Sequence, residues 1–155
     1  MSDFPLEEVR FALDAYLAAR KRAEARETGW DVLADFFTDD ATFVDPAWGR
    51  VEGIENIRTF LKASMAGLDG WTFPHEWALI DGARVVTHWQ NRLPGQRADG
   101  TPYQAPGITV MIYAGDGKFS SEEDLLNMVH VTEEIQASGW RPGPGFGMPP
   151  AKPRR

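Results

Sequence analysis

The chain has 155 residues, 43% of them hydrophobic, which suits the core of a single domain. Its formal net charge at pH 7 is −7, because 16 Lys and Arg stand against 23 Asp and Glu. An acidic chain without a long basic block disfavours nucleic acid and anionic membranes as partners. The chain has no cysteine, which excludes disulfides, thiolate catalysis and cysteine-ligated metal.

The start of the chain gives no sign of a targeting or membrane segment. The first ten residues, MSDFPLEEVR, are acidic and lack the apolar core of a signal peptide. No stretch approaches the roughly 18 apolar residues that a spanning helix needs. Together with the absence of cysteine, this favours a cytoplasmic protein.

Apolar residues spaced three and four apart predict helices in the first part of the chain. The predicted helices cover residues 5–26, 28–37 and 54–65, and short strands are predicted at 41–45 and 50–52. The helix at 28–37 would begin with a capping-box-like pair, Thr28 and Asp31. The polar end of the first helix, from Arg20 onward, is expected to face solvent.

The second part of the chain reads as a sheet. Strand-like runs at 71–80, 83–93, 107–113 and 118–126 are separated by Gly-rich turns and predict an antiparallel meander. A short helix follows at 128–138. Residues 141–155 contain five Pro and three Gly, and we expect them to form an arm or to be disordered.

This order of elements predicts an α+β fold for residues 1–140. We expect a cone-shaped, curved, antiparallel or mixed β-sheet wrapped around three N-terminal helices, with a short C-terminal helix. Such a sheet encloses an apolar pocket at its open end, which suits a hydrophobic small molecule.

Two segments carry a resemblance to a known superfamily. Residues 37–46, Phe-Thr-Asp-Asp-Ala-Thr-Phe-Val-Asp-Pro, with Gly49, Gly53, Ile57 and Phe60 after them, resemble ketosteroid isomerases and SnoaL-like polyketide cyclases. Residues 113–119, Tyr-Ala-Gly-Asp-Gly-Lys-Phe, resemble the last hairpin of the same group. The resemblance covers most of residues 6–138. It implies a nuclear-transport-factor-two-like fold and a homodimer that packs through its sheet faces.

The resemblance also implies site residues. Asp45 matches the general base of the isomerases, and Tyr16 matches the tyrosine that donates a hydrogen bond to the developing oxyanion. Thr109 stands where the isomerases use a protonated Asp, and this departure argues against steroid isomerisation. SnoaL-like cyclases carry an acidic acid/base residue on the last strand, for which we select Asp124.

The residues themselves allow simpler interpretations. Asp45 precedes a proline, where a turn-capping aspartate is common. Tyr16 lies on the apolar stripe of the first helix and suits an ordinary core position. Alternation sends Glu122 and Asp124 to one face of the last strand and Glu123 to the other, and all three suit a solvated acidic edge.

Histidines and aromatic residues complete the set of candidates. His75 and His88 lie on neighbouring strands, and one imidazole is expected to point inward and shuttle a proton; His75 is the catalytic candidate. Candidate substrate-binding residues are Phe43, Trp48, Trp89, Asn91, Thr109 and Met111, although core packing explains most large side chains. No histidine pair has metal-ligand spacing, and no loop matches a phosphate-binding motif, so neither metal nor cofactor is expected.

Two functional hypotheses follow. The first is an isomerase-, cyclase- or lyase-type enzyme without a cofactor, in which Asp45 moves a proton and Asp124 or His75 serves as second acid/base. Tyr16, with Asn91 or Thr109, would hold the oxyanion. The second is a non-catalytic ligand-binding or protein-interaction module of the same fold.

Overall fold

The computed structural model describes residues 4–155 of the chain. Its helices are α1 (Leu6–Glu24), α2 (Ile54–Ser64) and α3 (Met128–Ser138), with a 3₁₀ helix at Trp30–Phe36 between α1 and the sheet. The strands are β1 (Phe37–Asp45), β2 (Gly49–Glu52), β3 (His75–Asp81), β4 (Arg84–Gln96), β5 (Pro102–Gly115) and β6 (Lys118–Leu126). Residues 1–3, which the predicted domain includes, lie outside the described residues.

The six strands form one sheet in the order β2-β1-β6-β5-β4-β3. The predicted meander is confirmed, because β3, β4, β5 and β6 pair antiparallel in sequence order. The pairing of β1 with β6 is parallel, which makes the sheet mixed. The predicted α+β class with a curved mixed sheet is therefore confirmed.

Alternation along the long strands determines which residues face the helices. Along β4, every second residue from Val85 to Leu93 is buried, and the residues between them are more exposed. The buried face of the sheet packs against α1, the 3₁₀ helix and α2 in one core cluster. A second, smaller cluster around Trp71, Leu93, Ala105 and Val131 forms where α3 covers the sheet.

The second predicted helix differs from the structure. It is a 3₁₀ helix of seven residues, and Phe37 already belongs to β1. Thr28 makes no cap, because Gly29 occupies the N-cap position without a side-chain hydrogen bond. The predicted strand at 41–45 therefore starts four residues too late. The cause is an irregularity between Phe37 and Thr42, which interrupts the alternation that a sequence pattern relies on.

The C-terminal tail has an irregular backbone but lies across the domain. The backbone N–H of Gly143 donates to Gly67 O at 2.9 Å, and the Phe146 ring packs against Trp140. Further along, the N–H of Arg50 donates to Arg154 O at 2.7 Å. The tail therefore runs from the loop after α2 to β2.

Removal of residues 141–155 is expected to destabilise the protein by about 1–2 kcal/mol, because the half-buried Phe146 loses its apolar contacts. Urea unfolding should report this loss, and an apolar dye should bind more strongly to the opened cavity. A shorter truncation after residue 150 keeps Phe146 and should lose less. An unchanged urea midpoint for the long truncation would contradict this role of the tail.

Candidate active site

A cavity of about 240 Å³ lies between the concave face of the sheet, the helices and the tail. Most of its wall is apolar. The apolar lining includes Trp30, Leu33, Phe43, Trp48, Phe60, Leu61, Leu68, Trp71, Phe73, Trp89, Leu126, Val131, Trp140 and Phe146. The polar and charged lining includes Tyr16, Arg20, Asp45, Asn91, Thr109, Glu122 and Asp124. Five of these seven are residues that the sequence analysis selected.

Three carboxyl groups share this cavity because β1 and β6 are parallel neighbours. Phe43 pairs with Glu122 and Val44 with Glu123, so Asp45 follows next along β1 beside the level of Asp124. Alternation then turns Glu122 and Asp124 inward and leaves Glu123 exposed; the sequence predicted opposite faces but not which of them is inward. The result is an acidic patch on an otherwise apolar wall.

Asp45 both closes a turn and lines the cavity. Its Oδ1 accepts hydrogen bonds from the backbone N–H groups of Ala47 and Trp48, each at 2.8 Å. Burial raises the pKa of the Asp45 carboxyl above its usual value, and the two N–H donors partly oppose that change. The turn-capping interpretation and the base interpretation of Asp45 therefore describe the same side chain.

Glu122 and Tyr16 form a buried pair. The Tyr16 hydroxyl donates to Glu122 Oε2 at 2.8 Å, and both residues are 4% exposed. Burial, and then the neighbouring Asp124, raise the pKa of Glu122 well above its usual range, and the Tyr16 hydrogen bond partly opposes that change. The structure therefore gives the Tyr16 hydroxyl a protein partner, where the resemblance implied a substrate oxyanion.

Asp124 is held by a chain of hydrogen bonds along the sheet. Trp89 Nε1 donates to Thr109 Oγ1 at 2.9 Å, and Thr109 Oγ1 donates to Asp124 Oδ1 at 2.6 Å. The Trp89 ring reaches Thr109 by lying over Gly107, where a methyl group would be 2.7 Å from the indole. Burial raises the pKa of Asp124 to about 7, opposed by the Thr109 hydrogen bond. Asp124 can thus give or take a proton near neutral pH.

Arg20 is the cation of the site, and the sequence analysis missed it. The expectation that α1 is solvated from Arg20 onward is wrong for this residue, because its guanidinium lines the cavity. Its Nη2 donates to Phe73 O at 2.9 Å, and its guanidinium carbon lies 5.9 Å from the centre of the Trp89 ring. One feature of the sequence could have predicted this position: Arg20 follows Tyr16 by four residues and therefore lies on the same face of the helix.

Three candidates lie elsewhere. His75 is exposed and does not line the cavity. His88 lies on the outer face of β4, where it stacks on Trp77 with ring centres 5.0 Å apart and contacts Glu76. Neither histidine therefore points inward, in contrast to the expectation. Met111 is buried in the core rather than at the cavity.

Within residues 4–155, no group of three or more potential ligand side chains has the arrangement to hold a metal ion. The same part of the chain contains no helix that is long and apolar enough to span a membrane.

Comparison with protein families gives one assignment. The profile of the SnoaL-like domain matches residues 8–122, about three quarters of the chain. The chain belongs to the SnoaL-like domain family. The match covers Tyr16, Arg20, Asp45 and Glu122 and ends just before Asp124. Among proteins of curated function, no significant match was found.

Solved structures support the fold. A SnoaL-like polyketide cyclase of Jannaschia sp. CCS1 has 18% identity and a TM-score of 0.64, with 88% of this chain and 99% of that chain covered. TerC, co-crystallised with polyporic acid, has 21% identity, a TM-score of 0.62 and coverages of 81% and 98%. An epoxide hydrolase of M. tuberculosis has 18% identity, a TM-score of 0.63 and coverages of 84% and 91%. At these identities the likeness concerns the fold alone.

Replacement of Asp124 by Asn is expected to stabilise the protein at pH 8 more than at pH 5. The pKa of a free aspartate carboxyl is about 3.8 and burial raises that of Asp124 to about 7, so the folded state binds the extra proton. The stability that this preferential protonation of Asp124 contributes is therefore fully present below about pH 4 and is lost as the pH rises to about 7. Thermal unfolding of wild type and Asp124→Asn at both pH values measures this difference. Equal shifts in the two buffers would contradict it.

Proposed function

We propose that this SnoaL-like protein is a cofactor-free acid–base enzyme that moves protons on a hydrophobic small molecule. The observation that carries the proposal is the juxtaposition of Asp45, Glu122 and Asp124 on one wall of an apolar cavity. Carboxyl groups are costly to bury unless they are neutralised or paired, so a structural role alone does not account for three of them. Groups that exchange a proton near neutral pH are suited to general acid–base catalysis.

The two aspartates take different parts in this proposal. Asp45 accepts two backbone hydrogen bonds, which favour its charged form, so it is the base that removes a proton from substrate. Asp124, with a pKa of about 7, is the acid that returns a proton. Glu122, whose pKa burial raises well above its usual range, is hydrogen-bonded to Tyr16 and positions the acidic wall without exchanging protons with substrate.

Asp45 and Asp124 together can serve three related reactions. In each, Asp45 takes a proton from a carbon next to a carbonyl, and the electron pair of that C–H bond forms an enolate. In isomerisation, Asp124 gives a proton to a different carbon. In aldol cyclisation, the enolate carbon bonds to a second carbonyl carbon, whose C=O electron pair takes the proton from Asp124. In elimination, the enolate electron pair forms a C=C bond as the C–O bond of a neighbouring hydroxyl breaks, and that oxygen takes the proton from Asp124 and leaves as water. Transfer of the proton from Asp45 to Asp124 through solvent then restores both groups.

The aromatic side chains of the cavity wall favour a flat, apolar substrate. The rings of Phe43, Trp48 and Trp89 provide aromatic surfaces beside the carboxyl groups. Two structural neighbours, a polyketide cyclase and a protein crystallised with polyporic acid, point to cyclic polyketide-like molecules as the first class to test. Terpene epoxides, prompted by the epoxide hydrolase, form a second class with a different first step: Asp45 would take a proton from water, whose oxygen attacks an epoxide carbon as its C–O bond breaks and Asp124 protonates the epoxide oxygen.

Turnover should be followed on polyketide-like aromatic ketones, terpene epoxides and steroids with wild type, Asp45→Asn and Asp124→Asn. Each substitution is expected to lower kcat/KM on the true substrate about 100-fold or more, because one proton-transfer group is lost. Glu123→Gln, on the exposed face of the same strand, is the matched control and should keep full activity.

The pH profile of kcat/KM adds a second readout. The reaction needs protonated Asp124, so the rate should fall as pH rises past about 7, and the alkaline fall should be absent from Asp124→Asn. Binding without conversion by wild type would overturn the proposal and favour the non-catalytic module. Full activity of both variants would overturn the assigned roles.

We also propose that the protein is a homodimer that pairs through the outer face of the sheet. Leu125, Trp77 and Leu79 are exposed, at 50%, 44% and 66%. Exposed apolar groups on a sheet face are a common feature of protein interfaces. Light scattering should give twice the chain mass at micromolar concentration. The Leu125→Lys variant should give a lower mass, because a charge then lies in the interface. A monomeric wild type would contradict this assembly.

A further inference from the structure

Two buried polar atoms at the cavity have no hydrogen-bond partner among the described residues. Asn91 is 9% exposed and Trp71 is 6% exposed, and both line the cavity. Within residues 4–155, neither Asn91 Oδ1 nor Trp71 Nε1 makes a hydrogen bond. A buried acceptor or donor left unpaired opposes folding, so such atoms are rare where they have no function.

The two atoms belong to one corner of the cavity. Thr72 pairs with Arg92 in antiparallel fashion, which puts Phe73 opposite Asn91 and Trp71 at the diagonal position. Diagonal neighbours on one face of a sheet have Cα atoms about 7–8 Å apart. Long side chains at such positions can contact the same ligand atom.

This corner is distinct from the acidic wall. Along β5, Asn91 pairs with Ala105, whereas Asp124 pairs with Thr109 on the other side of the strand. Ala105 and Thr109 are four residues apart on β5, which corresponds to about 13 Å along the strand. A ligand that touches both places is therefore longer than a single small functional group.

We propose that Asn91 and Trp71 form a subsite for a hydroxyl group of the substrate, at the end of the cavity remote from Asp45 and Asp124. A phenolic or enolic hydroxyl satisfies both atoms at once, because its O–H donates to Asn91 Oδ1 and its oxygen accepts from Trp71 Nε1. A keto oxygen would satisfy only the indole. The inference rests on the proposed function for the presence of a substrate, and it specifies a flat, apolar molecule with a hydroxyl at the far end from the reacting carbon.

A pair of matched probes tests the subsite without knowledge of the substrate. 2-Naphthol and 2-methylnaphthalene differ by a hydroxyl in place of a methyl group. Wild type should bind 2-naphthol more tightly, as measured by calorimetric titration. Asn91→Leu and Trp71→Phe should each reduce this preference about fivefold, the effect of one hydrogen bond, with little change for 2-methylnaphthalene.

The controls separate this subsite from the acidic wall. Gln90→Leu removes an amide from the outer face of the same strand and should leave the preference unchanged. Asp124→Asn should also leave it unchanged; loss of the preference in that variant alone would move the hydroxyl to the acidic wall and overturn the subsite. Failure of wild type to prefer 2-naphthol would also overturn the subsite. Absence of turnover by wild type in the enzyme assays would overturn the proposed function but leave the subsite standing.

Stability of the ligand-free protein provides an independent readout. Because Asn91 Oδ1 is unpaired in the fold, Asn91→Leu is expected to raise the Tm by about 2–5 °C. The indole N–H signal that Trp71→Phe removes should shift with 2-naphthol and stay in place with 2-methylnaphthalene. A lower Tm for Asn91→Leu would indicate a structural amide and contradict the proposal.

Discussion

The loss of hydration at three neighbouring carboxyl groups is the constraint on which the site depends. Asp45, Glu122 and Asp124 share a wall that is otherwise apolar, so their charged forms are disfavoured and their pKa values rise. One helix moderates this cost, since Tyr16 hydrogen-bonds to Glu122 and the Arg20 guanidinium lies one turn further along α1. Side chains of α1 therefore partly oppose the rise in the pKa of Glu122 and Asp124, whereas the backbone of Ala47 and Trp48 does so for Asp45.

The sheet topology determines which carboxyl groups meet. Only the parallel pairing of β1 with β6 brings the end of β1 beside Asp124, although some 80 residues separate them in sequence. A shift of β6 by one residue would expose Glu122 and Asp124 and bury Glu123. The hydrogen bonds from Trp89 through Thr109 then fix Asp124, and they need the bare backbone of Gly107 beneath the indole.

The sequence predicted what depends on local pattern. Strand alternation predicted the bounds of β6 and put Glu122 and Asp124 on the face opposite Glu123, without showing which face is inward, and the helical stripe placed Tyr16 in the core. It failed where a distant contact decides the outcome. Arg20 resembles any polar residue of a surface helix until the Phe73 carbonyl, from a segment 53 residues away, accepts its hydrogen bond. His75 had the right chemistry, but an irregularity of the β3–β4 pairing next to it disturbs the alternation on which the choice rested.

The resemblance to the isomerases led to an expectation at Thr109, where those enzymes have a protonated Asp. Here the pKa of Glu122, on the adjacent strand, is raised well above its usual range by burial, while Thr109 donates to Asp124. Since Glu122 already accepts the Tyr16 hydrogen bond, Arg20 and Trp71 are the donors that remain for substrate oxygens. The Arg20 guanidinium lies close enough to oppose the rise in the pKa of Glu122 and Asp124. In the proposed reaction, a substrate oxygen that Arg20 holds therefore lies beside the carboxyl groups, and the neighbouring C–H bond faces them. The placement of these side chains, more than the fold, decides the chemistry.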